Sequence, residues 1–306
     1  MKGGWLICTI LTTLLWGLAE LFYKKGARRE EPYAHLKICV CVGTVMGIHA
    51  LLTLCTQGLG YRPVNLIRYL PVSLCYILSM ALSYFGMRYI EESISDPVEN
   101  TSGALCTVLC AVFLGIRISR GSIAAIVLIV LGILGIGFLE HSGETDRKKK
   151  LGKRLAIVAF MMPFCYALLD ALGSFLDVYY LDMATTPLFG VTEETIEEVA
   201  NVSYELTFAF SALVLFVFMK RRKVAFDLPQ QRDKVLAALC ETAGQFTYVY
   251  AMSGNGAIAA PILSSVCVVS LLLSRIFLKE KLTGKQYFFI TLVILGILVL
   301  AVVEGE

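Results

Sequence analysis

Leu131-Gly132-Ile133-Leu134 and Leu295-Gly296-Ile297-Leu298 are the same four residues, set 164 positions apart. Held fixed, that offset also lays Tyr84 on Tyr248, Ile94 on Ile258 and Pro97 on Pro261. Further along it brings Phe113-Leu114 onto Phe277-Leu278, and Ile126 and Leu128 onto Ile290 and Leu292. Apolar sequences match one another easily by chance, but tyrosine, proline and glycine in register do so far less. An internal repeat is therefore the first thing the chain declares, and it governs how the rest is read.

Working outward, the repeated stretches belong to a series of apolar runs near 4–23, 36–57, 69–89, 94–116, 121–140, 155–180, 198–219, 234–252, 256–278 and 285–303. Of the 306 residues 57% are apolar and 17% charged, against roughly 45–50% and about 25% in soluble domains. A helix crosses the hydrocarbon core with about 20 apolar residues, so the expected fold is an all-α membrane protein with ten transmembrane helices. Only Arg88 to Glu92 separate the third and fourth runs, and only Ser253-Gly254-Asn255 the eighth and ninth, so tight hairpins are expected at both places. The offset groups the runs as two five-helix repeats, residues 1–141 and 155–306, joined by a basic linker at 142–154. Five is odd, so the second repeat enters the membrane upside down relative to the first. Inverted repeats of this kind commonly hold a substrate near the midplane and expose it to alternate sides by rocking.

Lys and Arg collect on the cytoplasmic side of membrane proteins. With ten spans, all but Lys2, Arg62, Arg68, Arg117 and Arg120 of the 27 basic residues fall on one face. That face is expected to be cytoplasmic, which puts both termini and the acidic loop 181–198 on the other side. Thr195 and Glu198 have capping-box spacing and mark a start for the seventh helix. The first run lacks a small-residue cleavage site, so it is expected to be retained. The ten cysteines lie in or at the ends of apolar runs, where thiols pack as small hydrophobes. Cys39 with Cys41 and Cys106 with Cys110 lack the companion pairs of a zinc site, so neither metal nor cofactor is expected. The basic residues flank helices and form no groove-sized patch, which argues against nucleic acid.

An ionisable group inside a spanning helix costs at least ~2.5 kcal/mol, so each one needs a cavity, a partner or a task. Glu20, Glu99, Asp170 and Glu241 are the deepest, while Asp96, Asp177 and Glu205 stand nearer to helix ends, where water can reach. Helical spacing places Trp16, Glu20 and Tyr23 on one face, Tyr166, Asp170 and Gly173 on another, and Glu241, Gln245 and Tyr248 on a third. In the fourth run Asp96, Glu99, Asn100 and Gly103 share a face, and Tyr84 closes the third run. Aromatic faces attract cations, and carboxylates supply counter-charge or carry protons. The candidate substrate-binding residues are thus Trp16, Glu20, Tyr84, Glu99, Asn100, Tyr166, Asp170, Glu241, Gln245 and Tyr248. The expected ligand is an organic cation or amine, with protons as a second partner; Trp5 and Tyr23 are expected to anchor at the membrane interface. Pro97 and Pro261 suit the first turns of helices, and Gly132, Gly135, Gly137 and Gly296 suit close helix approach. His35, His49 and His141 form no evident cluster, and the Asn100-Thr101-Ser102 triplet lies too deep for glycosylation.

The residues resemble the drug/metabolite transporter superfamily with its EamA-type repeat. The likeness rests on Trp16-Gly17 followed by an in-helix polar position, and on Ser95-Asp96-Pro97 and Ala259-Ala260-Pro261 opening the fourth and ninth runs. It rests most on Phe277-Leu278-Lys279-Glu280-Lys281-Leu282-Thr283-Gly284-Lys285-Gln286, similar to an F-L-x-E-x-L-T-x-x-Q pattern. The first half has Ile116 where the family usually has an acid, so Glu280 is read as a loop charge. The resemblance implies a multi-pass protein of a bacterial cell membrane that moves a small metabolite, with sugars and nucleotide sugars carried by other branches. No Walker-type loop is present, which points to a secondary transporter. The remaining alternatives are neutral amino acids, nucleobases or sugars as substrate, or a non-transporting membrane enzyme or receptor. With no H-E-x-x-H and no evident His–acid pair, an enzyme is not expected. A monomer suffices for the two-repeat arrangement, and the sequence sets no oligomeric state.

Overall fold

The computed structural model describes residues 4–26, 31, 33–86, 98–141, 153–277 and 282–305. The expected hairpin at 88–92, Asp96, Pro97, most of the 142–154 linker and Glu280 lie outside the described residues. Within them the elements are α1 (Gly4–Gly26), α2 (Ala34–Thr56), α3 (Val64–Arg68), α4 (Leu70–Gly86), α5 (Ser102–Phe113) and α6 (Arg120–His141). There follow α7 (Lys153–Tyr180), α8 (Ile196–Arg221), a 3-10 turn at Leu228–Gln231, α9 (Arg232–Leu263), α10 (Val266–Phe277) and α11 (Gly284–Gly305). Every apolar run has a helix, and α3 is an addition that the pattern did not announce. By length and composition, five of the described helices are able to cross a membrane.

The 164-residue offset reappears in the element boundaries. Added to the ends of α5 it gives those of α10, and added to the ends of α6 it gives those of α11. The start of α11 is a reciprocal cap: the Gln286 N–H donates to Thr283 Oγ1 (3.3 Å), and the Thr283 N–H donates to Gln286 Oε1 (2.8 Å). At the equivalent place in the first half the Ser122 N–H donates to Ser119 Oγ (3.0 Å). The Thr-x-x-Gln of the sequence motif is therefore a capping box. Thr195 does begin α8, but its hydroxyl accepts from the Thr192 N–H (3.0 Å) and Glu198 turns to Tyr250 (3.3 Å), so that box is not formed.

Both halves also break a helix at the same register. Residues 100–101 and 264–265 are non-helical turns. In the first, the N–H and hydroxyl of Thr101 both donate to Val98 O (3.1 and 2.7 Å); in the second, those of Ser265 both donate to Ile262 O (2.9 and 2.5 Å). Pro261 sits just ahead of the second turn, inside α9 and not at a helix start as expected. A proline donates no N–H, so the carbonyl four residues back, at Ala257, loses its helical partner. The Thr107 hydroxyl of α5 donates to it instead (2.6 Å).

The helices pack in pairs wherever small residues allow it. Gly132 and Gly135 of α6 face Phe289 and Val293 of α11, while Gly296 of α11 faces Ile129 and Ala125 of α6. Gly132 and Gly296 are equivalent under the offset, so one contact is made twice about a local pseudo-axis. The side-chain surroundings of Gly137 lie outside the described residues. α1 lies against α9 and α10: Trp5 meets Gly254, Trp16 meets Gly244, and Gly17 meets Val269. α9 leaves helical geometry at Asn255 (φ −158°, ψ 65°), a kink at the place where a hairpin is expected.

The surface inverts the usual rule for water-soluble proteins. Ile7, Leu51, Phe138, Phe210, Phe288 and Val302 are more than half exposed, while Asp177 and Glu205 are fully buried. An apolar exterior around a polar interior is what a hydrocarbon surrounding demands. Asp177 and Glu205 thus do not stand at solvated helix ends. Burial of their carboxyls is matched by hydroxyls around Asp177 and by His49 (2.8 Å) and Asn201 (3.1 Å) on Glu205. His49–Glu205 is the His–acid pair that the sequence did not reveal.

At the α1–α2 turn, Glu31 bridges Lys37 (2.6 Å) and Lys234 (2.7 Å), and Lys234 is only 2% exposed. Burial pushes the Glu31 carboxyl up, but the two ammonium groups outweigh it and hold the pKa below the ordinary glutamate value. A carboxyl lowered in the folded state adds stability above its unfolded pKa and loses it as pH falls through the folded one. The advantage of the parent over Glu31→Gln, read from unfolding midpoints in detergent, is expected to be constant above about pH 5 and to vanish on further acidification. Thr107→Val, which strands the Ala257 carbonyl at nearly constant shape, is expected to destabilise by about 1 kcal/mol while Thr107→Ser does not, checked in the same assay.

Candidate functional site

The two broken stretches and the helices beside them border a cavity of about 170 Å³. A cavity of ~150 Å³ holds a benzene-sized guest, so this one suits a small molecule. α1 contributes Trp16, Glu20, Tyr23 and Lys24, successive positions of one helical face. α4 contributes Tyr76, Met80, Ser83 and Tyr84, and the broken stretch before α5 contributes Glu99 and Asn100, followed by Ser102 and Gly103. From the second half come Tyr166, Asp170 and Ser174 of α7, Tyr204 of α8, and Glu241, Gln245 and Tyr248 of α9. The second broken stretch closes the wall with Ala260, Leu263, Ser264 and Val266. The structure brings all ten of the residues singled out by sequence to this one wall.

The two breaks meet where the cavity needs a narrow wall. The Gly103 N–H donates to Ser264 Oγ (3.0 Å), and a Cβ at Gly103 would run into Ala260 O and that hydroxyl. Only glycine lets α5 come this close. Around the remaining wall the rings meet in tilted pairs: Trp16 with Tyr248 (centroids 5.2 Å, 30° between planes) and Tyr23 with Tyr84 (5.2 Å, 54°). Trp16 Nε1–H donates to the Glu241 backbone carbonyl (3.3 Å), Tyr23 Oη–H to Glu241 Oε2 (3.5 Å), and Ser83 Oγ–H to Glu99 Oε2 (2.9 Å).

Tyr23 is 3% exposed and part of the wall, so it is not an interface anchor as the sequence suggested. Its ring is drawn inward by the face it shares with Trp16 and Glu20. Tyr76, Ser174 and Tyr204 were missed, and two of them were within reach of the same periodicity. Tyr76, Met80 and Tyr84 follow at i, i+4, i+8, and Tyr166, Asp170, Ser174 and Asp177 follow at i, i+4, i+8, i+11. Tyr204 carried no such signal, because it reaches the wall through the tertiary contact of its ring with Tyr76 (5.9 Å).

Four carboxyl groups, one ammonium group, phenol rings and the Asn100 and Gln245 amides thus face one volume. Carboxylates there attract cations or exchange protons, aromatic faces favour a desolvated cation, and the amides offer both donors and acceptors.

A comparison with curated proteins gives no match. A solved structure titled only as the crystal structure of a protein superposes with a TM-score of 0.71 at 14% identity, covering 99% of this chain and 98% of the other. That likeness speaks for the fold. The profile of the EamA-like transporter family matches residues 3–138 and 183–302, most of the chain in two stretches. The chain belongs to the EamA-like transporter family of the drug/metabolite transporter superfamily, and is thereby an integral multi-pass membrane protein of a family that transports small molecules.

Proposed function

We propose that the protein is a secondary active transporter of an organic cation or amine, working by alternating access and coupled to protons. The observation that carries this reading is the cavity faced together by Glu20, Glu99, Asp170 and Glu241 among paired aromatic rings, with Lys24 as the one basic lining residue among the described residues. An amine entering it exchanges water for ring faces and carboxylates. The substrate-binding set is Trp16, Glu20, Tyr84, Glu99, Asn100, Tyr166, Asp170, Glu241, Gln245 and Tyr248.

In this reading the chain makes ten spans, as inverted repeats 1–141 and 155–306 joined by the 142–154 linker. The shared register of α5 with α10 and of α6 with α11 supports two equivalent units. The kink at Asn255 supports counting the limbs of α9 separately. Both termini then lie on the non-cytoplasmic side of a bacterial cell membrane. The broken stretches at 100–101 and 264–265 are where one repeat rocks against the other. A second reading, a neutral amino acid, nucleobase or sugar as cargo, draws on the Asn100 and Gln245 amides and the aromatic wall.

Purified protein in liposomes is expected to accumulate labelled choline or a related amine under an imposed gradient. Glu20→Gln and Asp170→Asn are each expected to lower that flux at least tenfold with an unchanged gel-filtration profile. Parental flux in both variants would remove the acidic site from the mechanism, and flux of sugars or nucleobases alone would favour the second reading. For orientation, a reporter fused at the C-terminus that is active only outside the cytoplasm is expected to be active, and its silence would refute the assigned topology.

A further inference from the structure

Beyond the carboxyls that face the cavity lies one that does not. Asp177 is fully buried, one turn before the end of α7, and is not part of the cavity wall. The Tyr69 hydroxyl donates to its Oδ1 and the Tyr76 hydroxyl to its Oδ2, the latter at 2.9 Å. Tyr76 in turn shares a hydrogen bond with Tyr248, and Ser174 Oγ lies within reach of both phenols (3.3 and 3.4 Å). Tyr76, Tyr248 and Ser174 all line the cavity. Hydroxyls thus run unbroken from the cavity to a carboxyl behind its wall.

We propose that Asp177 is a proton-holding site served by the Tyr248–Tyr76 relay, distinct from the substrate-facing acids. The hydrogens can be counted. Tyr76 has one O–H, and while Asp177 is ionised it points to Asp177, so the Tyr248 O–H is free to donate to the Tyr76 oxygen. When a proton enters at Tyr248, each O–H passes its hydrogen one place along, and Asp177 ends protonated with both phenols again neutral. Reversal delivers the proton to the cavity; no bond other than O–H forms or breaks, and charge balances at each oxygen.

The surroundings fit a group that changes its proton count. Asp177 faces Tyr69 between α3 and α4, Tyr76 and Cys75 from α4, Tyr248 from α9, Tyr204 from α8 and Cys106 from α5. On its own helix Asp170 lies two turns away. No ion pair among the described residues reaches it, in contrast to Glu205 with His49 and Glu31 with its two lysines. A carboxylate fixed in place by a cation keeps its charge; one held by hydroxyls alone can be neutral or charged without abandoning a partner.

This inference adds the proton's location to the transport reading but is tested without transport. Infrared difference spectra of the purified protein after a pH jump are expected to contain a carboxyl C=O change that Asp177→Asn lacks. Tyr76→Phe, which keeps Asp177 but removes the connecting hydroxyl, is expected to retain that band and slow its appearance at least tenfold. Tyr69→Phe, which removes a hydroxyl off the relay, is expected to leave the rate within twofold of the parent. The proposal fails if Asp177→Asn gives the parental spectrum or if Tyr76→Phe responds at the parental rate. Should Asp177→Asn not fold, the comparison of the two phenylalanine variants decides alone. Failure here leaves choline flux untouched, and failure of that flux leaves these spectra readable.

Discussion

The constraint on which this molecule turns is that, in oil, no backbone carbonyl or amide can be left to water. Pro261 violates it locally by withholding an N–H from Ala257, and Thr107 of the opposite half repairs the violation. One turn later the second helix break begins, and there the Gly103 amide, again from the opposite half, donates to Ser264. The two broken stretches are therefore fastened to each other, not merely adjacent. Their side-chain hydroxyls, Thr101 and Ser265, satisfy the loosened carbonyls in the same way on both sides. The cavity exists because two helices stop in mid-course, and they can stop because each supplies what the other lacks.

Much of this was legible from residues alone, and the reason is periodicity. A repeat of 164 residues leaves its mark in tyrosines, prolines and glycines, and it foretold the shared boundaries of α5 with α10 and of α6 with α11. The 3.6-residue period collected Trp16 with Glu20, Tyr166 with Asp170 and Glu241 with Tyr248, and the fold turned all of those faces inward. What the period could not supply was depth. Asp177 and Glu205 lie within a turn or three of a helix end, and linear position made them look solvated. Their covers come from distant segments: Tyr69 and Tyr76 meet Asp177, and His49 meets Glu205, while loop 181–195 beyond α7 is itself tied down by Asn65, which exchanges hydrogen bonds with the Phe189 backbone, and by Arg62 and Arg68 over the Phe189 ring.

Pairings between distant helices were likewise invisible. His49 and Glu205 are separated by 156 residues, and nothing near either one names the other. Pro261 misled for a related reason. Proline near the beginning of an apolar run is usually a first-turn residue, but here α9 continues through its kink at Asn255 and the proline falls within it. The Thr195 box failed because its threonine is taken by the Thr192 N–H of the preceding turn and its glutamate by Tyr250 across the fold, whereas Thr283 and Gln286 at the start of α11 kept each other.

The packing of α1 against α9 also bears on how the chain can be built. Thr12 reaches the Gly244 carbonyl (3.3 Å) and the Thr247 hydroxyl (2.7 Å), partners more than 230 residues downstream. On a ribosome the first helix emerges long before the strip of surface it must cover, and long-separated contacts are slow to find each other. The leading helix has to be parked in lipid, with its polar threonines and Glu20 incompletely covered, until nearly the entire polypeptide has been synthesised. Biogenesis of this protein therefore hinges on its last third, and a truncation there orphans the first helix as surely as deleting that helix itself.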